Sequence, residues 1–249
     1  MKRVEYIVLR AVGLVFIIFL IHSSLQSGKN YNKSDSEFMA KKNLTESNQT
    51  FNVGGKSIIV TSPGNVYSEV GAENRKYLDV FVPSVNRLVC GFLLTTDLPI
   101  LIKGDTGFLK SYAIVEILRE AEYMNIDATD FKQFVDYLKS SKRNINSSFR
   151  DAVDEINEKL KSIDETVQIG KPLQLGTFFS KPEAYSFGMI AKYTQDNKSQ
   201  NVAMSCTMLH LKQRLFYFYY YMNYVDASTI QLLGSNTEKW IDAVIKANK

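Results

Sequence analysis

Apolar and polar positions alternate with different periods along the chain, and the first change of period marks off a leader. Ala11 to Ile21 is an unbroken run of 11 apolar or glycine residues, preceded by Lys2, Arg3 and Arg10 and ended by His22-Ser23-Ser24. A membrane-crossing helix needs about 20 apolar residues, whereas the hydrophobic part of an export signal is shorter. Residues 1–27 therefore read as a signal peptide. Counting back to Tyr6 lengthens the run to 16 with Arg10 inside it, so a signal anchor over residues 6–21 is the alternative. No Cys follows the run, which excludes a lipoprotein signal. Residues 28–50 are polar, rich in Asn, Ser and Lys, and bury too little apolar surface to offset the entropy of ordering. They read as a flexible tether.

From Phe51 the pattern is that of a single α+β domain over 51–249. Phe51–Thr61 predicts a strand pair or a bulged strand, broken at Gly54-Gly55, and Ser62-Pro63-Gly64-Asn65 a turn. Ala72–Asp79 suits a short helix. Leu88–Leu94 is apolar on both faces, as a central strand is, and Thr95–Pro99 is a loop. Ser111–Leu118 is rich in β-branched residues and reads as a strand, with a helix over Phe108–Met124 as the alternative.

A helical insert at about 125–165 follows. Phe131, Phe134, Val135 and Leu138 make one stripe, with Asp127 or Thr129 as N-cap; Phe149, Ala152, Val153, Ile156, Leu160 and Ile163 make a second. Leu173–Phe179 and Ala184–Thr194 are strands, and Val202–Leu211 and Arg214–Tyr224 form a hairpin across Lys212-Gln213. Ser235-Asn236-Thr237-Glu238 has the form of a capping box opening the last helix, whose stripe is Trp240, Ile241, Val244 and Ile245. The expected fold is an antiparallel sheet of about six or seven strands covered by amphipathic helices, with the C-terminal helix packed on the sheet.

Charge narrows the partners. The formal charge is +4; the leader's Lys2, Arg3, Arg10 and Glu5 account for +2, so the rest carries about +2 with no Lys/Arg run longer than two. Nucleic-acid capture needs a basic stripe, and none is readable. Five N-x-S/T triplets, at Asn32, Asn43, Asn48, Asn146 and Asn197, are glycosylation acceptors only in a eukaryotic secretory route.

The chemistry-bearing residues are few. Outside the leader, His210 is the only histidine, which excludes a multi-His metal site within one chain. No metal-, nucleotide- or nucleophile-elbow motif is present, and Gly55-Lys56-Ser57 lacks the glycine a phosphate loop needs five residues earlier. No cofactor is expected. Cys90 and Cys206 lie in apolar strands; they either form a disulfide between strands or are two buried thiols that never meet. Cys206 and His210 share a strand parity but stand about 13 Å apart along a strand, beyond hydrogen-bonding reach. Tyr217, Tyr219 and Tyr221 share one face of their strand, and in a two-residue hairpin Tyr219 faces Cys206 and Tyr217 faces Met208. This row is either core or the wall of a pocket for a sugar or an apolar tail. The carboxylate pairs Asp97/Asp105, Asp127/Asp130 and Asp151/Asp154 sit where they cap helix starts or loops.

The aromatic hairpin, the terminal helix Trp240–Asn248 (WIDAVIKAN) and the turn Ser62-Pro63-Gly64 together resemble exported bacterial domains of no assigned function and, distantly, PsbP-like α+β proteins. The resemblance covers residues 51–120 and 173–249, implies a non-enzymatic module, and carries over no functional residue. The expectation is an exported envelope, periplasmic or secreted protein that binds another protein or a small apolar or sugar ligand, touching the membrane only through an uncleaved N-terminal segment. A hydrolase-like or lipid-handling enzyme, or a membrane-anchored structural protein, are the alternatives.

Overall fold

The computed structural model describes residues 48–249 apart from 73, 80, 99–108, 141–152, 162–165, 167 and 196–197. The leader, most of the tether, Asp105, Asp151 and the ends of the second insert stripe lie outside the described residues. Gly54 (φ +55°) and Gly55 (φ +77°) turn the chain between β1 (Gln49–Val53) and β2 (Lys56–Val60). Two successive positive φ angles match the right-handed twist of a hairpin, and glycine reaches them without strain. A Cβ on Gly54 would meet the Glu122 carbonyl oxygen at 1.9 Å, so close approach requires glycine there as well. Because β1 begins at Gln49, the last two residues of the expected tether belong to the fold.

The main sheet has eight strands in the order β3-β4-β5-β10-β9-β8-β6, with β7 also paired to β8, and every pairing is antiparallel. The strands are β3 (Tyr67–Glu69), β4 (Asn86–Leu94), β5 (Ser111–Leu118), β6 (Gln168–Ile169), β7 (Leu173–Ser180), β8 (Ala184–Gln195), β9 (Lys198–Leu211) and β10 (Arg214–Asn223). Ser111–Leu118 is thus strand and not helix. Among the described residues the α-helices are α1 (Lys76–Asp79), α2 (Ala128–Ser140), α3 (153–161) and α4 (Ala227–Ala247).

Each face of the sheet has its own core. On one, α1, α2 and α3 cover Tyr112, Ile114, Leu215, Tyr217, Tyr219, Tyr221 and Cys206 with Leu78, Phe131, Phe134, Val135, Leu138, Val153, Ile156 and Leu160. Asp127 caps α2 by accepting from the Thr129 and Asp130 amides at 2.7 and 2.8 Å. On the other face, α4 and the β1–β2 hairpin cover Ala113, Val115, Ile117, Phe216, Phe218 and Tyr220.

Helix α4 begins eight residues before the expected cap. Asp226 and Thr229 form the capping box, with the Asp226 carboxylate accepting from the Ser228 amide. The Ser235–Glu238 pattern lies inside the helix, because Thr229 and Leu233 already extend the buried stripe of Thr237, Trp240, Ile241 and Val244. Thr237 spends its hydroxyl on the Leu233 carbonyl and Ser205 Oγ, at 2.7 and 2.8 Å. At its far end α4 meets the hairpin: Trp240 Nε1 donates to the Thr61 carbonyl at 2.7 Å. The Asn248 amide imitates a strand neighbour, donating to the Ile59 carbonyl at 2.6 Å and accepting from its N–H at 3.0 Å.

Candidate functional site

Two places stand out: a polar group inside the helix-covered face, and an uncharged edge of the sheet. The inner group starts from strand parity. In β5, Tyr112, Ile114, Glu116 and Leu118 point the same way, so Glu116 is carried into the core, where it is fully buried. Its Oε2 accepts from Asn86 Nδ2 at 2.9 Å. Burial holds the Glu116 carboxyl well above the usual carboxylate range; the Asn86 bond and distant Lys159 oppose this, and Asp79 adds to it. Burial thus favours its protonated form. Tyr217 is its neighbour across the β5–β10 pair. Glu116 is the residue that sequence reasoning missed. A single acid inside the apolar run SYAIVEIL was the available signal, since a strand buried on both sides places it in the interior.

The tyrosine row is core. Tyr217, Tyr219 and Tyr221 are buried; Tyr219 faces Cys206 and Tyr217 faces Met208, as the two-residue hairpin requires. Their rings stack on neighbours, Tyr221 on Tyr112 at 4.3 Å and Tyr219 on Tyr221 at 6.4 Å. Among the described residues they pack in one core cluster with side chains of α2 and α3. Burial disfavours the charged form of all three phenols and pushes each above the usual phenol range, so they stay protonated.

Cys90 and Cys206 are both free and buried, which decides against the disulfide. β5 and β10 separate their strands, a distance of about 14 Å at the usual strand spacing. They also face opposite ways. Leu88 and Cys90 share a parity by count, but the ladder shifts between them, and the extra residue sends Cys90 to the α4 face while Leu88 stays on the helix-covered one. Burial pushes both thiols up, leaving them unreactive. His210 is four residues from Cys206 on the same strand; its Nε2 lies 2.7 Å from the Ile126 carbonyl and its ring stacks on Phe131.

Of the carboxylates expected to cap, Asp97, Asp127 and Asp130 accept backbone amides, while Asp105 and Asp151 lie outside the described residues. Asp97 accepts from the Lys110 amide at 2.8 Å, and Asp130 from the Asp127 amide at 3.2 Å. Among the described residues no group of three His, Cys, Asp or Glu is placed to hold a metal, and no helix is long and apolar enough to cross a membrane.

The second place is β7. The opposite edge strand, β3, has three residues and carries Glu69, paired with Arg75. By contrast β7 has eight residues, LQLGTFFS, without a charge; Leu173 is 65% and Leu175 38% exposed. Phe178 anchors it. A Cβ on Gly188 would lie 2.4 Å from the Phe178 ring and one on Gly234 would lie 3.5 Å from it, so the ring occupies the space those two glycines leave between β8 and α4. The pairing to β8 shifts register twice, and Gly176 takes φ +115°.

No family model and no curated protein matches the chain. Among solved structures, Mog1p, a Ran-binding protein of Saccharomyces cerevisiae, is similar at a TM-score of 0.31 and 9% identity, over 81% of this chain and 94% of that one. So distant a likeness assigns neither a function nor a partner.

Proposed function

We propose that the protein is an exported, non-enzymatic binding module that engages an extended, uncharged segment of another protein along β7. The observation that carries this reading is the uncharged edge with two exposed leucines, next to an opposite edge kept short and charged. An edge strand offers unpaired N–H and C=O groups to an added strand, and proteins usually blunt such edges with charge, proline or brevity. The two register shifts bend β7 and limit pairing to a short segment, which suits strand addition to a partner better than open-ended stacking. The absence of charge on β7 favours an uncharged partner strand. Export is supported by the basic start and the apolar run Ala11–Ile21, and the lack of catalysis by the resemblance to non-enzymatic α+β modules.

A photo-crosslinking side chain at Thr177, introduced in the cell of origin, tests the binding surface. The expected result is a discrete protein adduct that disappears when Leu173→Lys and Leu175→Lys are combined with it. Both leucines are exposed, so the fold is retained. No adduct, an adduct the lysines do not affect, or one composed of two copies of this chain overturns the partner reading. Full-length protein recovered in the soluble cytosol overturns export.

A further inference from the structure

The edge that carries β7 is closed at one end by a side chain. β8 has β9 on one side, and β6 and β7 both pair with it on the other, so these two strands make one edge running from Gln168 to Ser180. In an antiparallel ladder every second residue turns its N–H and C=O away from the strand it pairs with. At Ile169 both groups are taken by Asn157: the N–H donates to Asn157 Oδ1 at 2.8 Å, and the C=O accepts from Nδ2 at 3.0 Å. Those are the two bonds that a residue of an added strand would make. Asn248 holds Ile59 of β2 in the same way, so the device occurs twice.

Asn157 is firmly placed. Its helix, α3, sinks Ile156 and Leu160 into the core. Glu155 accepts from the Ser84 amide at 2.8 Å, and Lys159 donates to the Val82 carbonyl at 2.9 Å, which ties α3 to the chain before β4. Past Ile169 the edge opens. Lys171 is exposed, and Pro172 has no N–H to offer but keeps its carbonyl. β7 then runs for eight residues without a charge. It ends at a turn in which the Lys181 N–H and C=O are both bonded to Ala184, while Lys181 Nζ is held by Asp242 and Glu238.

We propose that Asn157 is a stop: it stands where a partner strand would otherwise continue, and it confines the added segment to the eight residues of β7. The proposal rests on strand addition at β7 and gives that surface its boundary. A partner segment longer than β7 must leave the sheet before Ile169. Its backbone bonds β7, and its side chains meet Leu173 and Leu175.

A crosslinking footprint tests the stop, with a photo-reactive side chain placed in the cell of origin either at Thr177 on β7 or at Gln168, which is exposed on β6. The wild-type edge should give a protein adduct from Thr177 and none from Gln168. Asn157→Leu keeps the bulk of the side chain and removes both bonds to Ile169. Hydrogen exchange at the Ile169 amide should then quicken by about tenfold, and an adduct should form from Gln168 as well. If the leucine variant does not fold, Asn157→Asp replaces it; the carboxylate still accepts from the Ile169 N–H but cannot donate to its C=O, so it should give the Gln168 adduct without the faster exchange. An adduct from Gln168 in the wild type overturns the stop. So does a Gln168 that stays silent once Asn157 is replaced, or exchange at Ile169 that Asn157→Leu leaves unchanged. Silence at Thr177 is a different failure: it overturns strand addition itself, and the stop with it.

Discussion

Replacing Trp240 by alanine should remove the contact that holds α4 to both the sheet and the β1–β2 hairpin. The indole is 2% exposed. Its ring packs edge-on against Phe218 at 5.0 Å, Tyr220 at 6.1 Å and Phe92 at 6.2 Å, and its N–H is bonded to the Thr61 carbonyl. Truncating a core tryptophan costs about 3–5 kcal/mol, and loss of the hydrogen bond adds about 1 kcal/mol. Set against a total of about 5–15 kcal/mol, the change removes a third or more of the stability. With a urea dependence of about 2 kcal/mol per molar, a loss of about 4 kcal/mol lowers the midpoint by about 2 M. Far-UV circular dichroism reads it, since the chain has one Trp and the variant has no indole emission. Trp240→Phe keeps a ring but not the hydrogen bond, and should fall between wild type and alanine; it also serves if the alanine variant does not fold. A midpoint within about 0.5 M of wild type for Trp240→Ala would refute the reasoning and return Trp240 to the surface.

Other consequences follow from Glu116 and from the β9–β10 turn. The Glu116 carboxyl is raised by burial, so the folded chain holds a proton that the unfolded chain releases above about pH 4.3. Its contribution is full below that pH and is lost as pH rises toward the folded value, at about 1.4 kcal/mol per pH unit. Glu116→Gln removes this slope, so the stability of the variant relative to wild type should climb with pH from about 5 upward, and a flat difference to pH 8 would contradict a buried neutral acid. Lys212 (φ 45°) and Gln213 (φ 63°) occupy left-handed positions that Asn-Gly adopts with less strain. The double change Lys212→Asn, Gln213→Gly should raise stability by about 1 kcal/mol despite losing the Lys212 Nζ bond to the Ser57 carbonyl. A drop would show that the side chains, not the backbone, hold the turn.

What could be read from the sequence was what short-range pattern decides. The Gly-Gly hairpin, the α2 stripe of Phe131, Phe134, Val135 and Leu138, the Tyr219–Cys206 register and the burial of Trp240 all follow from a period of 2 or 3.6 and a turn. Those features need no knowledge of distant segments. The start of α4 was misplaced because two stretches can each cap a helix; which one does depends on whether Thr229 and Leu233 find a sheet face to cover.

Tertiary structure alone decided the rest. β5 and β10 are about a hundred residues apart in sequence and pair at the centre of the sheet, a choice made by how the two cores close and not by either strand. The ladder shift beside Val89 reversed the direction of Cys90 and separated it from Cys206, although parity counting puts Cys90 on the face of Leu88. Glu116 was visible as an acid in an apolar run, but its meeting with Asn86 required β4 and β5 to lie side by side. Periodicity says which way a side chain points, while the identity of what it meets is set by strand order, and strand order is a property of the packed whole.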